Sequence, residues 1–206
     1  MRVIYLLGVL SLITEVASGQ NHLMGARLGI SGAGNTVGSD IRTHLRIGVP
    51  AGITYDYTRK KLVLGAELLY EPRGYRYDAT LTDNTGAPFG EDKIKLNYNF
   101  ISMPIKAGIA FGNHFFGLAN IGLIPAYLIR AIAKGTNSSF VYTKNVDRFD
   151  LAVLAELGFG FKIEERLQWV TSLRYQTGLL TAPKHSSYIN HWGVTLGTGI
   201  KYRIGH

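Results

Sequence analysis

The stretch from Asp150 to Tyr175 constrains the fold most, because its residues sort by parity into two unlike surfaces. Leu151, Val153, Ala155, Leu157, Phe159, Phe161 and Ile163 fall on one side. Asp150, Ala152, Leu154, Glu156, Gly158, Gly160 and Lys162 fall on the other. After the polar break Glu164-Glu165-Arg166, the alternation resumes with Leu167, Trp169, Thr171, Leu173 and Tyr175 against Gln168, Val170, Ser172, Arg174 and Gln176. A period of two is that of a strand with one apolar face, and two such runs around a short polar break predict a hairpin. The second face is rich in Gly and small residues and poor in the Lys, Glu and Thr of a solvated sheet. This is the composition of a crowded, narrow barrel interior, with the aliphatic and aromatic face turned to lipid.

The remaining chain repeats the pattern. Strand one alternates Met24, Ala26, Leu28 and Ile30 with Gly25, Arg27, Gly29 and Ser31, and a Gly/Asn/Ser loop follows from Gly32 to Asp40. Strand two, about Arg42 to Thr54, turns Leu45, Ile47, Val49, Ala51 and Ile53 outward, and Tyr55 to Lys61 reads as a short polar turn. Strand three turns Leu62, Leu64, Ala66, Leu68 and Tyr70 outward and Val63, Gly65, Glu67, Leu69 and Glu71 inward. A polar segment from about Pro72 to Lys95, with Asp83-Asn84 and Gly86 as turn signals, reads as the longest loop. Strand four places Ile101, Met103, Ile105, Ala107 and Ile109 outward against Phe100, Ser102, Pro104, Lys106 and Gly108. Strand five, about Phe115 to Ile129, is apolar on both faces, which leaves its register open. Loops are expected at about Lys134 to Arg148 and Gly178 to Asn190, and strand eight alternates Trp192 to Tyr202 against Gly193 to Arg203.

The eight expected strands are joined by connections that alternate long and short, the rule of a transmembrane barrel with periplasmic turns and longer outer loops. Aromatics gather near the strand ends. Tyr55, Tyr57, Phe111, Phe115, Phe161, Trp169 and Tyr202 lie near the short turns, and Tyr70, Tyr98, Tyr127, Phe149, Tyr175 and Trp192 near the long loops. Two rings flanking an aliphatic band are the interfacial girdles of such a barrel.

The first residues read as a signal peptide, with Arg2 as the positive region, an apolar core from Val3 to Ile13, and a small-residue cleavage site at Ala17-Ser18-Gly19. This divides the chain into a signal segment, 1–19, and a barrel domain, 20–206. Beyond the signal there is no apolar window long enough for a membrane helix. The chain has no Cys, which removes disulfide frameworks, thiolate metal sites and a lipoprotein anchor from consideration. Its net charge of +8 would suit nucleic acid, but export argues instead for basic residues in the lumen and beside anionic head groups.

Inward charges are the candidate site. Arg46, Glu67 and Lys106 fall on strands two, three and four, Glu156 and Arg174 on strands six and seven, and Arg27 and Lys201 on strands one and eight. An eight-stranded barrel has an interior just wide enough for side chains, and a charge there needs a partner. These residues read as structural ion pairs filling the lumen, with a gated pore or proton path as the other reading. A lipid A-modifying enzyme would need a His beside a Ser and a carboxylate, with His44, His185, Ser186, Ser187 and His191 as candidates. No nucleophile-elbow motif occurs, and the six His lack ligand spacing, so no catalytic, metal or cofactor site is expected. A soluble eight-stranded barrel around a small apolar ligand would require the faces to be reversed.

With the strands placed, the chain resembles the PorT-like outer-membrane β-barrel proteins of the Bacteroidota over most of its length. The resemblance is carried by Gly25-Ala26-Arg27-Leu28-Gly29, Glu67-Leu68-Leu69-Tyr70, Phe100-Ile101-Ser102-Met103-Pro104-Ile105-Lys106, Leu173-Arg174-Tyr175-Gln176-Thr177-Gly178-Leu179 and Gly197-Thr198-Gly199-Ile200-Lys201-Tyr202. It implies an outer-membrane barrel, and one namesake of the family takes part in protein secretion. The expectation is an all-β, eight-stranded antiparallel up-and-down barrel in the outer membrane with both termini periplasmic. It is expected to have no enzyme activity and to be structural, adhesive, or accessory to a secretion or surface-assembly complex. Outer-membrane lipid and a protein held at the outer loops are the expected partners, with no nucleic acid or small-molecule substrate.

Overall fold

The computed structural model describes residues 22–36, 43–82, 85, 87–136, 139–143, 147–179 and 190–204. Its strands are β1 (His22–Thr36), β2 (Thr43–Gly48), β3 (Ala51–Arg59), β4 (Leu62–Thr82), β5 (Pro88–Ser102), β6 (Ile105–Gly112), β7 (Phe115–Lys134), β8 (Ser139–Val141), β9 (Phe149–Lys162), β10 (Leu167–Gly178) and β11 (Asn190–Ile204). β2 and β3 are one stave interrupted at Val49-Pro50, and β5 and β6 another interrupted at Met103-Pro104, because proline has no amide to give the ladder. Among the described residues β8 pairs with the end of β7 alone. The result is the eight-stave antiparallel ring expected from the sequence, closed by β1 against β11 from His22↔Ile204 to Thr36↔Asn190. Among the described residues no helix is long and apolar enough to cross a membrane, so any crossing is made by strands.

The faces follow the parity of the sequence. Ile47 and Ile121 are each 71% exposed, Leu157 is 67% exposed, and Leu28, Ile53, Leu68, Ile105, Leu173 and Leu196 also point out. An apolar surface this continuous is stable against hydrocarbon and not against water. One aromatic rim runs through register partners, from Tyr70 beside Ile101 to Tyr127 and Phe149. At the other end Phe115, Phe161 and Trp169 lie side by side on β7, β9 and β10, with ring centroids 6.1 and 5.3 Å apart. Tyr98, expected in the aromatic girdle, is instead buried inside and packed with Tyr75 and Phe100, because β5 keeps its even residues inward past the rim.

Four segments expected as connections are strand in part: β1 runs on to Thr36 through the expected loop Gly32 to Asp40, β8 lies in the expected loop Lys134 to Arg148, and two more change further. Strand two continues to Arg59, since Tyr55 and Tyr57 keep the outward parity while Thr54 and Asp56 stay buried, and the turn shrinks to Lys60-Lys61. The segment from Pro72 to Lys95, expected as a loop, is mostly an antiparallel hairpin, paired from Pro72↔Asn99 to Thr82↔Pro88. Its polarity is that of strands standing above the apolar band. Tyr75 and Tyr77 face Leu96, Tyr98 and Tyr142 inside, while Arg76 and Asp78 face out. From Tyr70 to Thr82 the hairpin extends roughly 40 Å along the strand at ~3.3 Å per residue. The turn signals at its tip, the signal segment and the loop 180–189 lie outside the described residues.

The open register of strand five has a physical cause. Asn120, Ile124, Ala126 and Leu128 of β7 are buried, and then the parity changes so that Ala131 and Ala133 are buried instead. The change is a bulge, where Asn99 faces Arg130 and Phe100 faces Leu128, with Ile129 and Arg130 both exposed. One added residue re-aims everything beyond it. Because Leu157 sits mid-stave on the lipid face, Leu157→Arg should lower folding stability by about 2–4 kcal/mol in a bilayer. Urea titration of the vesicle-folded protein reads this, and an unchanged midpoint would contradict the assignment of the faces.

Candidate functional site

Inside the ring, the strands carry their even or odd residues to a common level, and five charged side chains meet there. Lys106 Nζ (β6) stands 2.7 Å from Glu67 Oε1 (β4) and 2.7 Å from Glu156 Oε1 (β9). Arg174 Nη2 (β10) lies 2.7 Å from Glu67 Oε2 and 2.7 Å from Glu156 Oε2, and its Nε donates to the latter at 3.0 Å. Arg27 Nη1 (β1) reaches Glu156 Oε2 at 2.7 Å and Glu67 Oε1 at 3.3 Å. Asn120 Nδ2 (β7) donates to Glu156 Oε1 at 3.2 Å. Three cations thus surround two carboxylates that are only 3% and 2% exposed. Such burial is tolerable because each carboxylate has several charged donors, and removing any one leaves an uncompensated charge.

Glycine makes the convergence sterically available. A Cβ on Gly197 would stand 2.5 Å from Arg27 Nε and 2.6 Å from its Nη2, so the guanidinium occupies the space a side chain would fill. A Cβ on Gly65 would stand 2.9 Å from Lys106 Cε. The small inner face read from sequence is therefore the complement of long cations lying across it. Beside the cluster lies a cavity of about 20 Å³, room for about one water.

Two further layers flank the cluster. Towards the hairpin, Arg73 bridges Glu71 at 2.8 Å and Asp150 at 2.6 Å, Gln176 donates to Glu71 at 2.6 Å, and the Arg73 guanidinium lies 4.9 Å from the Phe100 ring centre. Beside and above this layer, Tyr75, Tyr98, Phe100, Ala126, Leu128 and Ala131 form an apolar fill. Towards the short turns, Lys201 pairs with Asp56, next to a cavity of about 130 Å³ lined in part by Lys60, Lys162, Gln168 and Arg203.

Of the residues singled out from sequence, Arg27, Glu67, Lys106, Glu156 and Arg174 are brought together. Arg46 is not: it donates to the backbone carbonyl of Arg73, one layer higher. Arg27 and Lys201 both line the small cavity but take different partners. Arg27 crosses the lumen, and Lys201 serves Asp56. Asp56 escaped sequence reading because it lay in an expected turn, Arg73 because it lay in an expected loop, and Asn120 because β7 had no assigned register. Arg73 does share the odd parity of Glu67 and Glu71, and that signal was present in the sequence. Among the enzyme candidates, His44 Nε2 is 3.8 Å from Asp78 Oδ2, with both side chains half-exposed or more, as in a surface pair. The positions of His185, Ser186 and Ser187 and the side chain of His191 lie outside the described residues.

A closed eight-stave ring with an apolar outer surface, aromatic rims and a charged, filled interior defines a small transmembrane β-barrel protein. The chain belongs to the outer membrane protein beta-barrel domain family, which matches residues 18–181. No curated protein matches it in sequence. Among solved structures it is similar in fold to Neisserial surface protein A, at 12% identity and a TM-score of 0.55, over 88% of this chain and 96% of that one. It also matches OprG of Pseudomonas aeruginosa, at 11% identity and a TM-score of 0.47, over 91% and 99% of the two chains. A third match is Ail of Yersinia pestis, at 10% identity and a TM-score of 0.46, over 88% and 99%.

Glu67→Gln should cost about 3–5 kcal/mol of folding stability, because three buried cations would share one carboxylate. Adding Lys106→Met should recover part of that loss. Gly197→Ala should also destabilise, by driving the Arg27 guanidinium out of its place. Denaturant titration in one lipid or detergent compares all three, and wild-type stability in Glu67→Gln would contradict the cluster.

Proposed function

We propose that this chain is a non-conducting, non-enzymatic barrel of the outer membrane, PorT-like, that holds a rigid outer hairpin as a recognition surface. It is made with a cleaved signal peptide over 1–19, its mature chain starts near Gln20, and both termini are periplasmic. The observation that carries the reading is the cluster of Arg27, Glu67, Lys106, Glu156 and Arg174, which spans the lumen at mid-height. A lumen crossed by charge-assisted bonds leaves the ends of the barrel as the working surfaces. Among the described residues the β4–β5 hairpin extends furthest past the aromatic rim, and Arg73 pins its root to Asp150 of β9. A hairpin braced in this way presents its face to a protein partner with little ordering cost, which suits adhesion or docking in a secretion or surface-assembly complex.

Near its tip, Asp92 accepts from the Thr136 amide at 2.9 Å and the Thr136 hydroxyl at 2.5 Å, tying the hairpin to the end of β7. These bonds hold the Asp92 carboxyl below its ordinary range. A carboxylate lowered in the folded state contributes above its unfolded value and loses that contribution as pH falls through the folded one. Thr136→Val should therefore bring the Asp92 titration up towards the ordinary value, as followed by NMR of the carboxyl carbon; an unmoved titration would contradict the tie.

The deciding experiment replaces the hairpin above Tyr77 and Ile94 with a two-residue turn. The shortened protein should still migrate faster unboiled than boiled, as a folded barrel does, and should lose partner capture and the cellular phenotype. Retention of both would end the recognition reading, and stepwise single-channel conductance of the native protein in planar bilayers would end the non-conducting one.

A further inference from the structure

The outer face just above the aromatic rim carries cations in an order that a solvated surface does not need. Arg76, Lys95 and Lys134 stand directly opposite one another on β4, β5 and β7, and all three are exposed. Like charges facing each other across adjacent strands destabilise a sheet unless an anion lies over them. The neighbouring Lys93 differs, because Asp78 stands directly opposite it. Lower on the same face, the bulge turns Arg130 outward, where the parity of Leu128 would have turned it into the lumen. Lower still, Arg148 Nη1 donates to the Tyr127 hydroxyl at 3.1 Å, at the rim itself. The cations therefore climb from the aromatic rim up the outer wall of β5 and β7. Directly below them the same wall is apolar, with Ile101, Leu123 and Ile121 exposed.

We propose that this wall binds an anionic glycolipid of the outer leaflet. The acyl chains lie along Ile101, Leu123 and Ile121, and the phosphate and carboxylate groups of its sugars lie over Arg130, Arg76, Lys95 and Lys134. A ligand that touches both zones must be amphipathic, which selects a lipid over a free anion. The three-cation row lies six residues above Tyr70 and Ile101 on β4 and β5, on the order of 15 Å above the rim for staves tilted by ~40°. That height suits the charged sugars of a glycolipid rather than the single phosphate of a phospholipid. Cations near a membrane surface each add attraction to anionic head groups, and the effect falls off within a Debye length.

The inference rests on the reading above that places the hairpin outside the cell, so its test separates the two. Full-length protein is reconstituted in nanodiscs of neutral phospholipid doped with phosphorylated lipopolysaccharide, and bound glycolipid is counted by native mass spectrometry. The variant Arg76→Gln/Lys95→Gln/Arg130→Gln/Lys134→Gln changes only exposed positions, and its folding is checked by gel mobility. We expect the native protein to retain glycolipid and the variant to bind it at least roughly ten-fold more weakly. Dephosphorylated glycolipid should bind the native protein as weakly as the phosphorylated form binds the variant. Equal retention by both proteins, or full displacement by millimolar inorganic phosphate, would overturn the proposal. Separately, Lys95→Cys should react with an impermeant maleimide on intact cells. Labelling only after the outer membrane is opened would instead defeat the orientation on which the proposal rests.

Discussion

Two carboxylates held by three cations across a closed lumen are the interaction on which this barrel depends. Glu67 and Glu156 sit on opposite arcs of the ring, and Arg27, Lys106 and Arg174 reach both of them. A hydrophobic outer face cannot fix the width or shear of a barrel, because lipid accepts any apolar arrangement. Directional bonds in a low-dielectric interior can, since each misplacement leaves a charge without a partner. The glycines at 65 and 197 follow from the same requirement, as the stem of Lys106 and the guanidinium of Arg27 lie where their side chains would be.

The interior changes character with height. Below the cluster is a smaller pair and a modest cavity, at the cluster the contents are ionic, and beside and above the Arg73 layer they are aromatic and aliphatic. The upper fill explains how strands can continue past the membrane. An isolated two-stranded ribbon is marginal in water, but here Tyr75, Tyr77, Leu96 and Tyr98 give it an apolar side to pack.

Most of the architecture was legible in the sequence, because a one-sided lipid face imposes strict parity over every stave. Leu45 to Ile53, Leu62 to Tyr70 and Leu151 to Ile163 show it without ambiguity. Legibility failed where the contrast between faces vanished. Above the rim both faces of β4 and β5 are mixed, so a strand looked like a loop. In β7 the inner face is itself apolar at Ile124 and Leu128, and a bulge then reverses the parity. All five charges of the cluster were visible as inward positions. Arg46 shared their parity, but parity gives a face and not a height, and Arg46 ended one layer up at the carbonyl of Arg73.

The seam between β1 and β11 joins the first and last staves over 15 residues of each. Every other neighbouring pair is close along the chain, whereas this one closes the longest loop the fold contains. Its entropic cost comes due only when the last stave has been made and inserted. Until then the growing sheet carries two unsatisfied edges, and in hydrocarbon an open edge is not tolerated. Insertion and ring closure are therefore one event for this chain, and a partly assembled sheet has to be shielded at both edges until β11 arrives.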